Sequence, residues 1–331
     1  MEETMGTTRR ALLLATPALA LHGAARAQGN YPNRPVRLLV PYAAGGGQDI
    51  AARLVAEPLR AALGQPVIVE NRSGASGMIA AQALAQSAPD GYTLMLGGSG
   101  ETAINPHLFR GRITYDAARE FRPVMIMVKV PNVIMAYPEA PFRTLPELIE
   151  QAKAAPGRFS YSSSGIGNPQ HLSGELLNTI AGIRTVHVPY RGSGPAVLDI
   201  AAGQVQFGYN SLASGLPLIR EGRIRAIGVT SKERMPQLPD VPSASEYPPL
   251  ASYELVNFFG LYAPTATPDA ITDRLHAALA AAMREPTLRG RFEEQGLLVQ
   301  SMSRAESWAF QQAESEKFGR IVTQANITID G

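Results

Sequence analysis

Three consecutive glycines, Gly45-Gly46-Gly47, stand between the apolar run Leu38-Leu39-Val40 and a helical pattern that starts at Ile50. Backbone without side chains lets a ligand approach closely, and a helix start leaves N–H groups without partners. With the positive end of the helix dipole, those donors make a site for an anion. The same grammar returns in Leu96-Gly97-Gly98-Ser99-Gly100, in Ser162-Ser163-Ser164-Gly165-Ile166-Gly167, in Pro189-Tyr190-Arg191-Gly192-Ser193-Gly194 and in Gly208-Tyr209-Asn210-Ser211. Each lies where a short apolar strand gives way to a helical pattern. Ligands of open α/β sheets gather at the carboxyl ends of strands. Five small, polar turns with Arg191 as their single cation therefore predict the lining of one crevice.

The candidate ligand-binding residues are Tyr42, Ala43, Gly46, Gly47, Gln48, Asp49, Ser99, Ser164, Gly165, Asn168, His171, Tyr190 and Asn210. Asp49 fits ordering of the helix start better than contact, because a carboxylate facing a bound anion is repelled; Gln48 beside it suits contact. Ser164 and Asn168 also suit capping of a helix beginning near Pro169. His171 lies one turn inside that helix, where packing is the commoner role. Tyr190 at a strand mouth is placed to close on a ligand, and Arg191 adds charge. Glu101 either narrows the pocket or points outward. With so few cations, an anion's charge must be met by backbone N–H groups, hydroxyls and water, which suits dicarboxylates or aromatic carboxylates better than phosphates.

Catalysis finds little support. No G-x-S-x-G elbow, S-x-x-K or G-x-x-x-x-G-K-[ST] occurs, and Gly45-x-Gly47-x-x-Ile50 fails the dinucleotide fingerprint at its last glycine. His107, His187 and His276 form no metal-spaced set. Cysteine is absent, which removes disulfides, thiolate chemistry and cysteine metal sites. No catalytic residue, metal or cofactor is implied.

The elements that must carry these turns alternate along the chain. Strands are predicted at Val36–Val40, Pro66–Glu70, Tyr92–Leu96, Val124–Val130 and Val133–Tyr137 (interrupted by Pro131), Ser160–Ser162, Thr185–Val188, Phe207–Tyr209, Arg225–Val229 and Asn257–Tyr262. Helices are predicted at Ile50–Leu63, Gly77–Ser87, Leu145–Ala155, near 170–181, 194–202 and 212–221, and then near 268–284, 286–295 and 303–325. This βαβα order implies doubly wound parallel sheets. The regions around Lys129–Asn132 and Tyr253–Phe258 set a middle block apart from two outer ones, the layout of two hinged lobes. The expected division is 28–131 with 257–331 as the outer lobe and 132–256 as the inner lobe.

At 331 residues the chain has room for two cores, and 45% hydrophobic with 18% charged residues describe a globular protein. A net charge of +2 without a dense basic run speaks against nucleic acid. The segment 1–27 reads as an export signal: Arg9-Arg10 precede a short apolar run, and Ala25-Arg26-Ala27 fits a cleavage site before Gln28. Thr8-Arg9-Arg10-Ala11-Leu12-Leu13 resembles a twin-arginine signal, and an ordinary secretory signal fits equally. The expected product is soluble and periplasmic.

Further motifs carry a resemblance to a family. They are Tyr31-Pro32-Asn33-Arg34-Pro35-Val36-Arg37, Val40-Pro41-Tyr42-Ala43-Ala44-Gly45-Gly46-Gly47 with Asp49, Gly64-Gln65-Pro66-Val67 with Glu70-Asn71-Arg72, and Ala88-Pro89-Asp90-Gly91-Tyr92-Thr93-Leu94. Ala103-Ile104-Asn105-Pro106, Ser164-Gly165 with His171-Leu172 and Gly174-Glu175-Leu176, Val186-His187-Val188-Pro189-Tyr190-Arg191-Gly192-Ser193-Gly194-Pro195-Ala196 and Leu238-Pro239-Asp240-Val241-Pro242 follow in order. From Tyr31 to about Ile327 the chain resembles the extracytoplasmic solute receptors of tripartite tricarboxylate transporters, also called Bug receptors. The resemblance implies a type II periplasmic binding fold, two doubly wound α/β lobes joined by two crossing strands, with a small carboxylate held between them. It implies that the Ala43–Asp49 turn gives backbone donors to the ligand, partly through ordered water. In this family Asp often stands at the position of Asn210, and small or hydroxyl residues are commoner at that of Glu101. The implied partners are a carboxylate ligand and membrane permease subunits, with a monomeric receptor. Two alternatives are a ligand-sensing subunit for a membrane signalling protein and a hydrolase using Ser164 or Ser99.

Overall fold

The computed structural model describes residues 31–328, so the expected export signal lies outside the described residues. The elements run β1 (Val36–Val40), α1 (Gly47–Leu63), β2 (Val67–Asn71), α2 (Met78–Ala85), β3 (Thr93–Gly98), α3 (Asn105–Leu108), α4 (Ala117–Glu120), β4 (Phe121–Ala136), α5 (Leu145–Ala154), β5 (Ser160–Ser163) and α6 (Pro169–Ala181). They continue with β6 (Val186–Pro189), α7 (Ser193–Ala201), β7 (Phe207–Ser211), α8 (Leu212–Arg220), β8 (Arg225–Val229), β9 (Val256–Pro264), α9 (Asp269–Arg284), α10 (Pro286–Glu294), β10 (Leu298–Val299) and α11 (Arg304–Gln324).

The strands lie in the order β2-β1-β3-β9-β4-β7-β5-β6, with β8 and β10 also paired to β4. Each half has its own parallel set, β2-β1-β3 and β7-β5-β6. β4 and β9 run antiparallel to each other and to their other neighbours, so the sheets are mixed where an all-parallel arrangement was expected. The reason is topological: strands that cross between lobes in opposite senses cannot be parallel. Apolar clusters cover both faces of each half. Leu38, Val55, Leu94 and Leu275 belong to one outer-half cluster, and Leu39, Met95, Phe258 and Phe318 to the other. Tyr161, Phe207 and Tyr253, and separately Val133, Ile200 and Leu216, fill the two inner-half clusters.

β4 is one strand, not two split at Pro131. Phe121–Pro131 pairs with β9, and from Asn132 the strand pairs with β7 and β8. The proline falls at this change of partner, where a missing N–H costs no ladder bond. Thr230, just past β8, laces the crossing. Its Oγ1 accepts from the Asn132 N–H at 2.9 Å and donates to the Leu255 carbonyl at 2.6 Å. Its own N–H donates to the Asn132 carbonyl, and its carbonyl accepts from Leu255.

α1 shows how local sequence builds the site. Leu54, Val55, Leu59 and Leu63 are buried on one face, and Gly64 ends the helix at φ 71° with its N–H donating to the Arg60 carbonyl at 2.9 Å. The helix starts at Gly47, three residues before the apolar periodicity predicts. Glycines carry no periodicity, so the first turn is formed by residues that the pattern does not register.

Candidate functional site

The two halves meet over a narrow chamber whose cavity volume is about 20 Å³. Its walls are Tyr42, Gly46, Gly47, Gln48, Gly98, Gly100 and Phe259 with Asn257 from the outer half, and Ser164, Asn168, Pro169, Gln170, Ser193 and Ser211 from the inner half. No lysine, arginine, aspartate or glutamate is among them. The helices α1, α6, α7 and α8 all begin at this chamber. Gly46, Gly192 and Ser211 are the N-cap residues of α1, α7 and α8, and none places a side-chain acceptor on the first-turn N–H groups. Only α6 is capped, by Asn168 Oδ1 accepting from the His171 N–H at 3.0 Å. Unfilled donors and aligned dipoles thus point into an uncharged space, which is a setting for an anion.

A wider vestibule of about 250 Å³ shares Tyr42 and Ser164 with the chamber. It adds Gly165, Tyr190 and Arg191 from the inner half and the Gly74–Gly77 turn from the outer half. Ala75 and Ser76 in that turn have φ of 46° and 54°, a conformation rare for residues with side chains. Neither residue type announces this, so the sequence does not point to the turn.

Of the thirteen predicted residues, Tyr42, Gly46, Gly47, Gln48, Ser164 and Asn168 line the chamber, and Gly165 and Tyr190 line the vestibule. Ala43 works at the lobe contact, its N–H donating to the Arg191 carbonyl at 3.2 Å. Gly192 allows that approach: its φ is 146°, and a Cβ there would lie 3.1 Å from the Ala43 nitrogen. Asp49 orders the helix start, accepting from the Gly45 N–H, from Arg53 and from Asn71. Burial alone would raise its pKa, but those bonds outweigh it and hold the carboxyl below the usual range. Ser99 donates to Asn257 Oδ1 at 2.5 Å. His171 lies behind the chamber, stacked on His187 at 4.0 Å between ring centroids. Burial lowers its pKa to about 4, so the ring is neutral near pH 7. Asn210 is fully buried on β7, outside the chamber lining, with no protein partner for either amide atom among the described residues.

Several side chains are already engaged within the protein. The Tyr190 hydroxyl donates to Asp199 at 2.7 Å, so that hydroxyl is already engaged within the inner half. Gln48 Nε2 donates to the Leu96 carbonyl at 3.1 Å and lies 3.5 Å from Glu101 Oε1. The Gln48 amide nitrogen is thus engaged within the outer half, and its carbonyl oxygen is the atom left for a ligand. Asn168 Nδ2 donates to Ser164 Oγ at 2.6 Å, and Ser164 Oγ to Gln170 Oε1 at 3.0 Å. Asn257 is not among the residues expected from the sequence. Its Oδ1 accepts from Ser99 and from the Phe258 N–H, which leaves its amide nitrogen as a donor for the chamber. A lone polar residue at the head of the apolar strand Asn257–Tyr262 is the signal that could have found it.

Among the described residues, no cluster of three His, Cys, Asp or Glu is placed to hold a metal, and no helix is long and apolar enough to cross a membrane. Comparison with known proteins bears on this arrangement. The model of the tripartite tricarboxylate transporter family receptor matches residues 51–327. Protein BugT of Bordetella pertussis is 35% identical over 268 residues, 80% of this chain and 81% of its own. A solved Rhodopseudomonas palustris structure, Rpa4515 with adipate, superposes with a TM-score of 0.87 at 34% identity, covering 90% of this chain and 99% of that one. MatC of the same organism, with bound malate, gives 0.84 at 31% identity, covering 88% and 100%.

Proposed function

The chain belongs to the tripartite tricarboxylate transporter receptor family, whose members are substrate-binding receptors and not enzymes, and from that premise we propose that it captures a small organic carboxylate between its lobes in the periplasm. The observation that carries this is the chamber itself: three helix N-termini without side-chain caps, and a fourth capped by Asn168, surround a space with no charged side chain. One carboxylate seats on the N–H groups of α1 around Gly46–Gln48, with Asn257 and Ser193 beside it. A second carboxylate, or the far end of a longer acid, reaches toward the vestibule and Arg191. Adipate and malate, held by the two relatives of solved structure, are acids of this kind. Gln48, presenting an acceptor, suits a ligand that also carries a hydroxyl or a protonated carboxyl.

Captured ligand is then delivered to membrane permease subunits when the lobes part. Of the described residues, 31–131 with 257–328 form the outer lobe and 132–256 the inner one, and the changeover of β4 at Pro131–Asn132 supports this division. A thermal-shift screen over organic acids tests the reading. Stabilisation by dicarboxylates and not by phosphates or amines is expected; stabilisation by phosphorylated or cationic compounds alone would overturn it.

A further inference from the structure

Glu101 stands directly behind the chamber wall and is fully buried. It lies in a π-helical turn, Gly100–Ile104, that follows β3. Its Oε2 accepts from the Gly98 N–H at 2.8 Å, its Oε1 is 3.5 Å from Gln48 Nε2, and the Tyr42 hydroxyl is its other hydrogen-bond neighbour. Gly77 leaves it room, since a Cβ there would sit 2.8 Å from Oε1. The titratable groups that face it are Tyr42, Tyr115 and Tyr262, all neutral because burial pushes their hydroxyls up. Asp49 turns its carboxylate away to Arg53 and Asn71. From α11, Ser315 bonds the Ala103 carbonyl and His107, not Glu101. Among the described residues, no cation bonds or pairs with this carboxyl.

Tyr42, Gln48 and Gly98 line the chamber on their other side. One layer of side chains therefore separates Glu101 from the place of a bound anion. Two negative charges across so thin and dry a layer repel, and a proton on the carboxyl relieves the repulsion. We propose that Glu101 is a positioning residue that couples capture of an anion to uptake of one proton from solvent. With the carboxyl protonated the chamber accepts a carboxylate; with it ionised the affinity falls. The inference rests on the carboxylate reading of the chamber. Burial, outweighing the Gly98, Gln48 and Tyr42 hydrogen bonds, raises the group to about 7, so the coupling operates close to neutrality.

The test is titration calorimetry of the protein with adipate and with malate from pH 6.5 to 8.5, in phosphate and in Tris. The proposal expects a buffer-dependent heat that reports proton uptake near pH 7.5, and an affinity that falls toward tenfold per pH unit at the alkaline end. Glu101→Gln keeps the shape and an acceptor for Gly98, and is expected to lose both effects and to bind at least as tightly as wild type at pH 8.5. Wild-type binding with identical heats in both buffers and a flat pH profile would overturn the role of Glu101 and leave carboxylate capture standing. No binding of either acid at any pH would instead overturn the carboxylate reading, and this proposal with it. The buffer comparison uses wild type alone, so its outcome does not depend on the variant folding.

Discussion

Alanine at position 194 should keep the lobes from meeting without unfolding either one. Gly194 is the second residue of α7 and has no positive φ, so the helix itself accepts the substitution. The added Cβ would lie 2.7 Å from the Ala44 carbonyl oxygen in the opposite lobe, roughly 0.7 Å inside ordinary contact. Ala44 offers backbone there, not a side chain that swings aside, so relief comes only from parting the lobes. Overpacking of this size costs about 1–3 kcal/mol. Because the cost falls on the closed form alone, it appears as lost affinity, about 5- to 150-fold at 1.36 kcal/mol per factor of ten. Gly290→Ala, within α10 and away from the chamber, is the matched control: nothing lies within 4 Å of its added Cβ. Calorimetric titration with adipate should separate the two variants by tenfold or more, while their melting temperatures stay within a few degrees of wild type. Equal affinity for wild type and Gly194→Ala would show that ligand does not draw these surfaces together.

Thr230→Val keeps the side-chain shape but leaves the Asn132 N–H and the Leu255 carbonyl without their hydroxyl partner. A loss of about 2 kcal/mol is expected, a fall of about 3 °C in a calorimetric scan; an unchanged melting temperature would count against the lace at the crossing. Asn257→Asp retains acceptors for Ser99 and Phe258 but replaces the donor facing the chamber, so adipate affinity should fall at least tenfold at pH 8 with the fold intact. Undiminished affinity would take Asn257 out of the site. Glu101→Gln without ligand tests the buried carboxyl by stability. A folded-state pKa raised from 4.5 to about 7 costs stability as pH climbs through that interval and no further above it. The variant's advantage over wild type should grow between pH 4.5 and 7 toward about 3 kcal/mol, at 1.36 kcal/mol per unit, and then level off. Parallel stability curves would contradict it.

Much of the framework is legible in residue order. β1 and β8 fall on the residues that their apolar runs mark, and α6, α7 and α9 start within a residue of their predicted positions. What escapes the pattern is physical in origin. The first turn of α1 consists of glycine and polar residues, so this wall of the chamber is invisible to periodicity although the glycines themselves point to it. Pro131 reads as a break, yet it sits where β4 changes partners and no N–H is needed. The direction of a side chain is fixed by tertiary partners far away in sequence. Ser99 turns to Asn257, 158 residues on, and Gln48 turns its nitrogen to Leu96, 48 residues on. For that reason Ser193, Ser211, Gln170 and Asn257 enter the lining only once the lobes are brought together. Glu101, for which the sequence leaves two placements open, neither enters the chamber nor faces solvent; it lies behind the wall.

If an organic carboxylate sits between the lobes on the N-terminus of α1, a side chain at Gly47 must displace it. A Cβ there would lie 2.5 Å from Ser211 Oγ and project into the chamber. Calorimetric titration of the protein with adipate and malate, beside Gly47→Val, tests this directly. Saturable one-site binding of at least one of the two acids is expected for wild type and none for Gly47→Val, with both proteins folded by circular dichroism. Wild-type affinity retained in Gly47→Val would place the ligand elsewhere and contradict carboxylate capture at this helix start.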